Sequence, residues 1–254
     1  MQSFQDQVVV VTGATSGIGR ALARAFTAAG ARVLGAGRDQ ARLGELAREV
    51  DLALTLDVRE ERDVALLRAV VEDRFGRLDV LVNSAGLGLF APWDETTTDD
   101  LRLLLEVDLV GAVRVSQALL PGMVARGHGT LVQIASVAGL RGFPRQTAYC
   151  AAKHALIGWS EALRHELAGS GVRICVVSPP AVDTPFFARA GWPGVAQEHP
   201  RWRPLSAEQV AAAVLEAVAR GDAELVLGSR LRMLQAAARI SPAALVRARL
   251  RRGR

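Results

Sequence analysis

Short apolar runs alternate with longer amphipathic ones along most of this chain. The runs QVVVV (7–11), ARVLGA (31–36), LALTL (52–56), LDVLVNSAG (78–86), GTLVQIAS (129–136), VRICVVSPP (172–180) and AELVLG (223–228) are rich in apolar residues without a strict two-residue alternation. Such runs predict strands buried on both faces. Between them lie stretches of helical period: 17–30 ending at Gly30, 39–50, 60–76 closed by Gly76, and one long helix from about 98 to 125 opened by a Thr/Asp cluster. Two more follow at 147–171 and near 206–219. Strand–helix alternation of this kind predicts an α/β fold, a doubly wound (Rossmann) parallel sheet of seven strands with helices on both faces, in a single domain. Two segments break the rhythm. Residues 181–205 are irregular and rich in Pro and aromatics, and 230–254 are rich in Arg. The expected division is therefore a body, 1–229, with 181–205 as a substrate lid, and a C-terminal extension, 230–254.

Composition sharpens this picture in three places. Half of the 254 residues are hydrophobic and 22% are charged, which suits a folded domain with a substantial core. The net charge of +5 is concentrated at the end: 230–254 hold eight Arg and no acid, which leaves 23 basic and 26 acidic side chains in the body. The body is no polycation, and no nucleic-acid partner is expected. The tail reads either as a solvated or subunit-contact helix, which is favoured, or as a weak contact with an anionic membrane surface. Cys150 and Cys175 each sit in an apolar run and are expected as buried thiols in a reducing, cytoplasmic setting. The opening MQSFQDQVVVVTG has no basic region ahead of its apolar run, so no signal peptide is expected, and no run is long enough for a membrane span. His154, His165 and His199 have no ligand spacing, so no catalytic metal is expected.

The chemistry lies in residues that the chain otherwise avoids. Tyr149, Lys153 and Asn83 are the only Tyr, Lys and Asn among 254 residues, while Arg occurs 30 times. A GC-rich genome accounts for the scarcity but not for a Tyr and a Lys four residues apart, on one face of a helix. After the first strand comes TGATSGIG (12–19), a glycine-rich turn into a helix N-terminus, where free N–H groups and a positive dipole favour a diphosphate.

The loop TGATSGIG, the stretch VNSAG (82–86), Ser136 and YCAAK (149–153) occur in an order and spacing that resembles the single-domain branch of the short-chain dehydrogenase/reductase family, over residues 7 to about 187. The resemblance implies that Gly13, Ser16, Ile18 and Gly19 line a dinucleotide's diphosphate and adjacent ribose. It implies that Asp57 and Val58 hold the adenine, that Asn83 and Ala85 border the adenosine and nicotinamide ribose, and that Gly86 belongs to the same cofactor site. Pro179, Val182 and Thr184 would hold the carboxamide. Asn83 also reads as a structural tie between neighbouring strands. Tyr149 would be the general acid in reduction and the general base in oxidation. Lys153 would favour the phenolate and anchor the ribose, and Ser136 would hydrogen-bond the substrate oxygen. Where the family usually has Asn in a proton relay, this chain has Asp108. Either its backbone carbonyl preserves the relay and its carboxylate tethers Lys153, or the changed side chain alters the pH profile. Pro179-Pro180 likewise replaces the commoner Pro-Gly.

The end of the second strand, LGAGRD (34–39), has Gly37 where an NAD-preferring relative would carry an acid, followed by Arg38. An Arg there accepts a 2′-phosphate, so NADP(H) is expected over NAD(H), against the alternative that Arg38 is a solvated surface charge. Leu87, Leu89, Phe90, Leu140, Phe143, Phe186, Phe187, Trp192 and Trp202 suggest an apolar pocket under a lid, or plain core packing, with no basic pair marking an anionic substrate. The expected activity is interconversion of a lipophilic ketone or aldehyde and its alcohol by a homodimer or homotetramer. The alternatives are a catalytically silent NADP(H)-binding regulator and an epimerase or dehydratase.

Overall fold

The four valines that open β1 (Val8–Thr12) divide between two cores. Val9 and Val11 face one helical layer and Val8 and Val10 the other, so an unbroken apolar run is what a strand buried on both faces requires. The computed structural model describes residues 4–191 and 204–228. β1 lies between β2 (Arg32–Gly37) and β4 (Val80–Asn83). Outside them are β3 (Leu52–Thr55) on one side and β5 (Gly129–Ile134), β6 (Val172–Ser178) and β9 (Glu224–Val226) on the other. The order is β3-β2-β1-β4-β5-β6-β9, and the seven strands form the parallel sheet that the sequence predicts. The chain winds outward from β1 to β3, then returns to the other side of β1 as β4. A crevice opens at the carboxyl ends of β1 and β4, where ligands bind in doubly wound sheets.

Beneath one face pack α1 (Gly17–Ala28), α2 (Gln40–Leu46) and α8 (Ala207–Arg220), with Leu22, Phe26, Val210 and Val214 fully buried against the sheet. The other face is covered by α3 (Glu61–Phe75), α5 (Gly111–Arg126) and α6 (Thr147–Glu166), through Leu67, Val115, Met123 and Leu156. Asp39 caps α2, accepting from Arg42 N, and Thr97 with Asp100 forms a capping box at the start of α4 (Thr98–Leu105).

The structure differs from the periodicity at identifiable points. The helix expected from about 98 to 125 is not uniform. α4 and α5 are joined by a π turn, Glu106–Val110, with Asp108 at its centre. The helix expected over 39–50 closes at Leu46, and that over 147–171 closes at Glu166. Within the irregular segment, β7 (Val182–Asp183) pairs in parallel with β8 (Leu205–Ser206), and α7 (Phe186–Arg189) forms a single turn. Trp192, His199, Trp202 and the Arg-rich tail lie outside the described residues. No helix among the described residues is long and apolar enough to cross a membrane. Cys150 and Cys175 are buried free thiols, and burial pushes the Cys175 thiol up to about 11.

Candidate active site

Two loops are pinned to each other at the crevice. Thr12, the last residue of β1, accepts hydrogen bonds on its Oγ1 from the backbone N–H groups of both Ser84 and Ala85, at 3.1 Å each. Gly13 then turns with φ of +67°, and a Cβ on Gly19 would lie 2.3 Å from the Gly13 carbonyl oxygen. Only glycine lets the first turn of α1 close this tightly on the loop, which leaves the helix N-terminus facing the crevice.

A single cavity of about 1370 Å³ runs across the carboxyl ends of the strands. It exceeds the roughly 300–1,000 Å³ of an ordinary small-ligand cleft, which leaves room for a dinucleotide and a second molecule. Gly13, Ser16, Ile18, Gly19, Arg38, Asp57, Val58, Ala85, Gly86, Ser136, Tyr149, Lys153, Pro179, Val182 and Thr184 all line it. Two sequence candidates do not. Asn83 spends its amide on Ala112 O (3.1 Å) and Ser116 Oγ (3.0 Å), so its side chain ties β4 to the helix α5 rather than to a neighbouring strand. Asp108 is buried behind the wall.

At one end of the cavity the phenol of Tyr149 is enclosed by rings. Phe90 meets it edge-on with centroids 5.6 Å apart, and Phe186 lies 5.7 Å away. Lys153 is 4% exposed and donates to Ile134 O at 3.2 Å. Its Nζ lies 3.1 Å from Asp108 Oδ2, while Asp108 Oδ1 accepts from Leu87 N at 2.7 Å. Both neighbours of this carboxyl are donors, which is what an ionised carboxylate takes, and the pair is charged. Burial alone would lower the Lys153 pKa, but Asp108 and Tyr149 more than offset it and the ammonium is stabilised. Burial raises the Asp108 pKa against the pull of Lys153 and the Leu87 N–H. Burial is also the main reason that the Tyr149 pKa is raised. Asp108 adds to the rise, while Lys153 and the Ser136 side chain oppose it.

The other end is cationic. Arg38, Arg42, Arg59 and Arg189 line it together with Asp39 and Asp57. Arg59 grips Asp57 at 2.6 Å and holds its carboxyl below the usual range, and Arg38 stands 3.8 Å from the same oxygen. The sequence reading missed Arg42, Arg59 and Arg189. The first two follow recognised motif positions by a few residues, whereas no local signal marks Arg189. The pocket wall is also revised: Leu87, Phe90, Phe143, Phe186 and Phe187 line the cavity, Leu89 and Leu140 do not, and Arg141, stacked over the Phe143 ring, and Arg145 line it as well.

These residues fit a nicotinamide dinucleotide, with a glycine-closed helix N-terminus at the centre, a cationic end, and a Tyr–Lys–Ser group at the opposite end. The model of the short chain dehydrogenase family matches residues 7–191. An uncharacterized oxidoreductase of Staphylococcus saprophyticus is 35% identical over 76% of this chain and 85% of its own. Among solved structures, a short-chain dehydrogenase/reductase from Burkholderia phymatum in complex with NAD superposes with a TM-score of 0.83, at 26% identity over 92% of this chain and 93% of the other. A serine dehydrogenase complexed with NADP+ gives a TM-score of 0.81, at 31% identity over 87% and 94%. The chain belongs to the short-chain dehydrogenase/reductase family of NAD(P)-binding oxidoreductases.

Proposed function

We propose that this chain is an NADP(H)-dependent reductase of lipophilic ketones or aldehydes, with Tyr149 as its proton donor. One observation carries the reading: the buried Tyr149 phenol, with Ser136 and Lys153 beside it, stands at the apolar end of a cavity whose far end is lined by arginines.

The dinucleotide, when bound, supplies or accepts the hydride. Ser136 donates a hydrogen bond to the carbonyl oxygen, which polarises it, and Tyr149 delivers the proton as that oxygen becomes an alcohol. Lys153 stabilises the phenolate left behind, while Asp108 holds the ammonium in place and tempers its charge. The Tyr149 phenol, its pKa raised by burial, remains protonated at neutral pH, which is the form that carbonyl reduction needs. Phe90, Phe186 and Phe187 exclude water and favour an apolar substrate body. Gly37 and Arg38 support the phosphorylated cofactor: no acid competes at position 37, and a guanidinium stands next to it.

The deciding experiment follows cofactor oxidation across a panel of ketones, aldehydes and keto-steroids, with NADPH and NADH in parallel. The expected result is turnover of apolar carbonyls with a lower KM for NADPH. Tight NADPH binding without turnover of any panel member would replace this reading with that of a silent cofactor-binding protein.

A further inference from the structure

Arg189, on the single turn α7, reaches back across the cavity mouth. Its Nη2 donates to Ser16 Oγ at 3.0 Å, and its Nε to Pro185 O at 3.3 Å. Ser16 occupies the N-cap position of α1 without using its hydroxyl as a cap. The Arg189 side chain is exposed, and partial burial of its guanidinium, with the charges of Arg42 and Arg38, lowers its pKa, with Asp39 opposing. Three elements, the end of β2, the start of α2 and the turn α7, each bring a guanidinium group to the wall of this one cavity.

The nearby acids are already engaged. Asp39 caps α2 and pairs with Arg42 at 3.3 Å. Asp57 is held by Arg59 at 2.6 Å, with Arg38 more distant at 3.8 Å. Four arginines and two carboxylates leave the wall positive. Like charges on one wall repel. A third guanidinium brought beside two others is stabilised by a dianion placed between them, through charge-assisted hydrogen bonds. On the dinucleotide, the ribose phosphate that distinguishes NADP from NAD is such a dianion.

We propose that Arg189 binds the cofactor's 2′-phosphate from the substrate-lid segment, completing with Arg38 and Arg42 a three-arginine anion site. The proposal rests on the NADP(H) reading above and adds to it a residue outside every motif that the sequence offered.

The test is calorimetric and needs no turnover. Dissociation constants for NADPH, NADH and adenosine 2′,5′-bisphosphate are measured for the wild type and Arg189→Ala, with circular dichroism and Tm confirming that the exposed substitution leaves the fold intact. The expected result is a rise of about tenfold or more in Kd for NADPH and the bisphosphate, with NADH changed less than twofold. An equal loss for both dinucleotides would put Arg189 on the diphosphate they share and overturn the proposal. Unchanged affinities in a wild type that prefers NADPH would also overturn it while leaving the cofactor reading intact. A wild type without preference for NADPH would overturn both. A failed substrate panel, by contrast, would sink the reductase reading without touching this one.

Discussion

Lys153 Nζ and Asp108 Oδ2 form an ion pair of 3.1 Å with both side chains almost fully buried. The pair joins α6 to the π turn between α4 and α5, and it sits directly behind the Tyr149 phenol. A buried carboxylate raises the phenol's pKa and a buried ammonium lowers it, so the two partners act on Tyr149 with opposite sign.

Asp108→Asn keeps the shape and removes the charge. The Tyr149 pKa then falls, because one of the causes raising it is gone and the phenolate, as it forms, takes over from Asp108 in holding the Lys153 ammonium. The rate of alcohol oxidation, which needs the phenolate, should rise at a lower pH than in the wild type. Reduction, which needs the phenol, should lose rate from a correspondingly lower pH. A kcat/KM–pH profile in both directions checks this, and superimposable profiles would show that Asp108 acts only as a brace.

Tyr149→Phe removes one oxygen and keeps the ring contacts with Phe90 and Phe186. The variant should fold and bind cofactor as the wild type does. Its kcat/KM for carbonyl reduction should fall by about a hundredfold or more, because neither Ser136 nor water can deliver a proton in the same position. Near-normal turnover would transfer the proton-donor role to another group.

How much of this was legible in the sequence follows from the range of each interaction. The sheet was legible because residues such as Val8–Val11 are buried on both faces, which leaves a local signature. The Gly13–Gly19 loop was legible because its constraint is steric and short-range. Asn83 was legible as important, yet its partners, Ala112 and Ser116, are about thirty residues away and on a helix, so the guess of a strand-to-strand tie was misplaced. The π turn was hidden because a one-residue widening leaves the apolar pattern of α4 and α5 almost unchanged. Arg189 was hidden in a chain with 30 arginines, since only the tertiary fold brings it 173 residues back to Ser16.

Away from the site, Glu49 is clasped by two arginines of α1, Arg24 at 2.6 Å and Arg20 at 2.8 Å. The hydrogen bonds from the two guanidinium groups lower its pKa from 4.5 to about 2. A depressed carboxylate stabilises the fold above its unfolded pKa and ceases to do so as pH falls through its folded one. Glu49→Gln should therefore cost about 1 kcal/mol at neutral pH, a modest figure because solvent screens the cluster. The deficit relative to the wild type should shrink between about pH 4.5 and about pH 2. Parallel urea titrations at pH 7 and pH 3 measure it, and a deficit that does not change with pH would point to packing instead of charge.

The cofactor end offers the sharpest test of position 37. An acid there is the usual route to NAD preference, because a carboxylate hydrogen-bonds the free ribose hydroxyls and repels a 2′-phosphate. In this chain the route is blocked by Thr15: a Cβ on Gly37 would lie 2.7 Å from Thr15 Cγ2 and 3.1 Å from its Oγ1, though 3.4 Å from its Cβ. Gly37→Asp alone should displace the glycine-rich loop and weaken NADPH and NADH together. Thr15→Ala removes both close atoms and keeps the Cβ at ordinary contact distance. The double variant should therefore recover NADH binding to within a few-fold of the wild type while losing NADPH affinity by about tenfold or more, as a carboxylate placed against a phosphate requires. Measured Kd values for the four combinations form a double-mutant cycle, and the coupling between positions 15 and 37 should be favourable and large for NADH. Additive effects would mean that Thr15 yields without strain, and that glycine at 37 is kept for the phosphate alone.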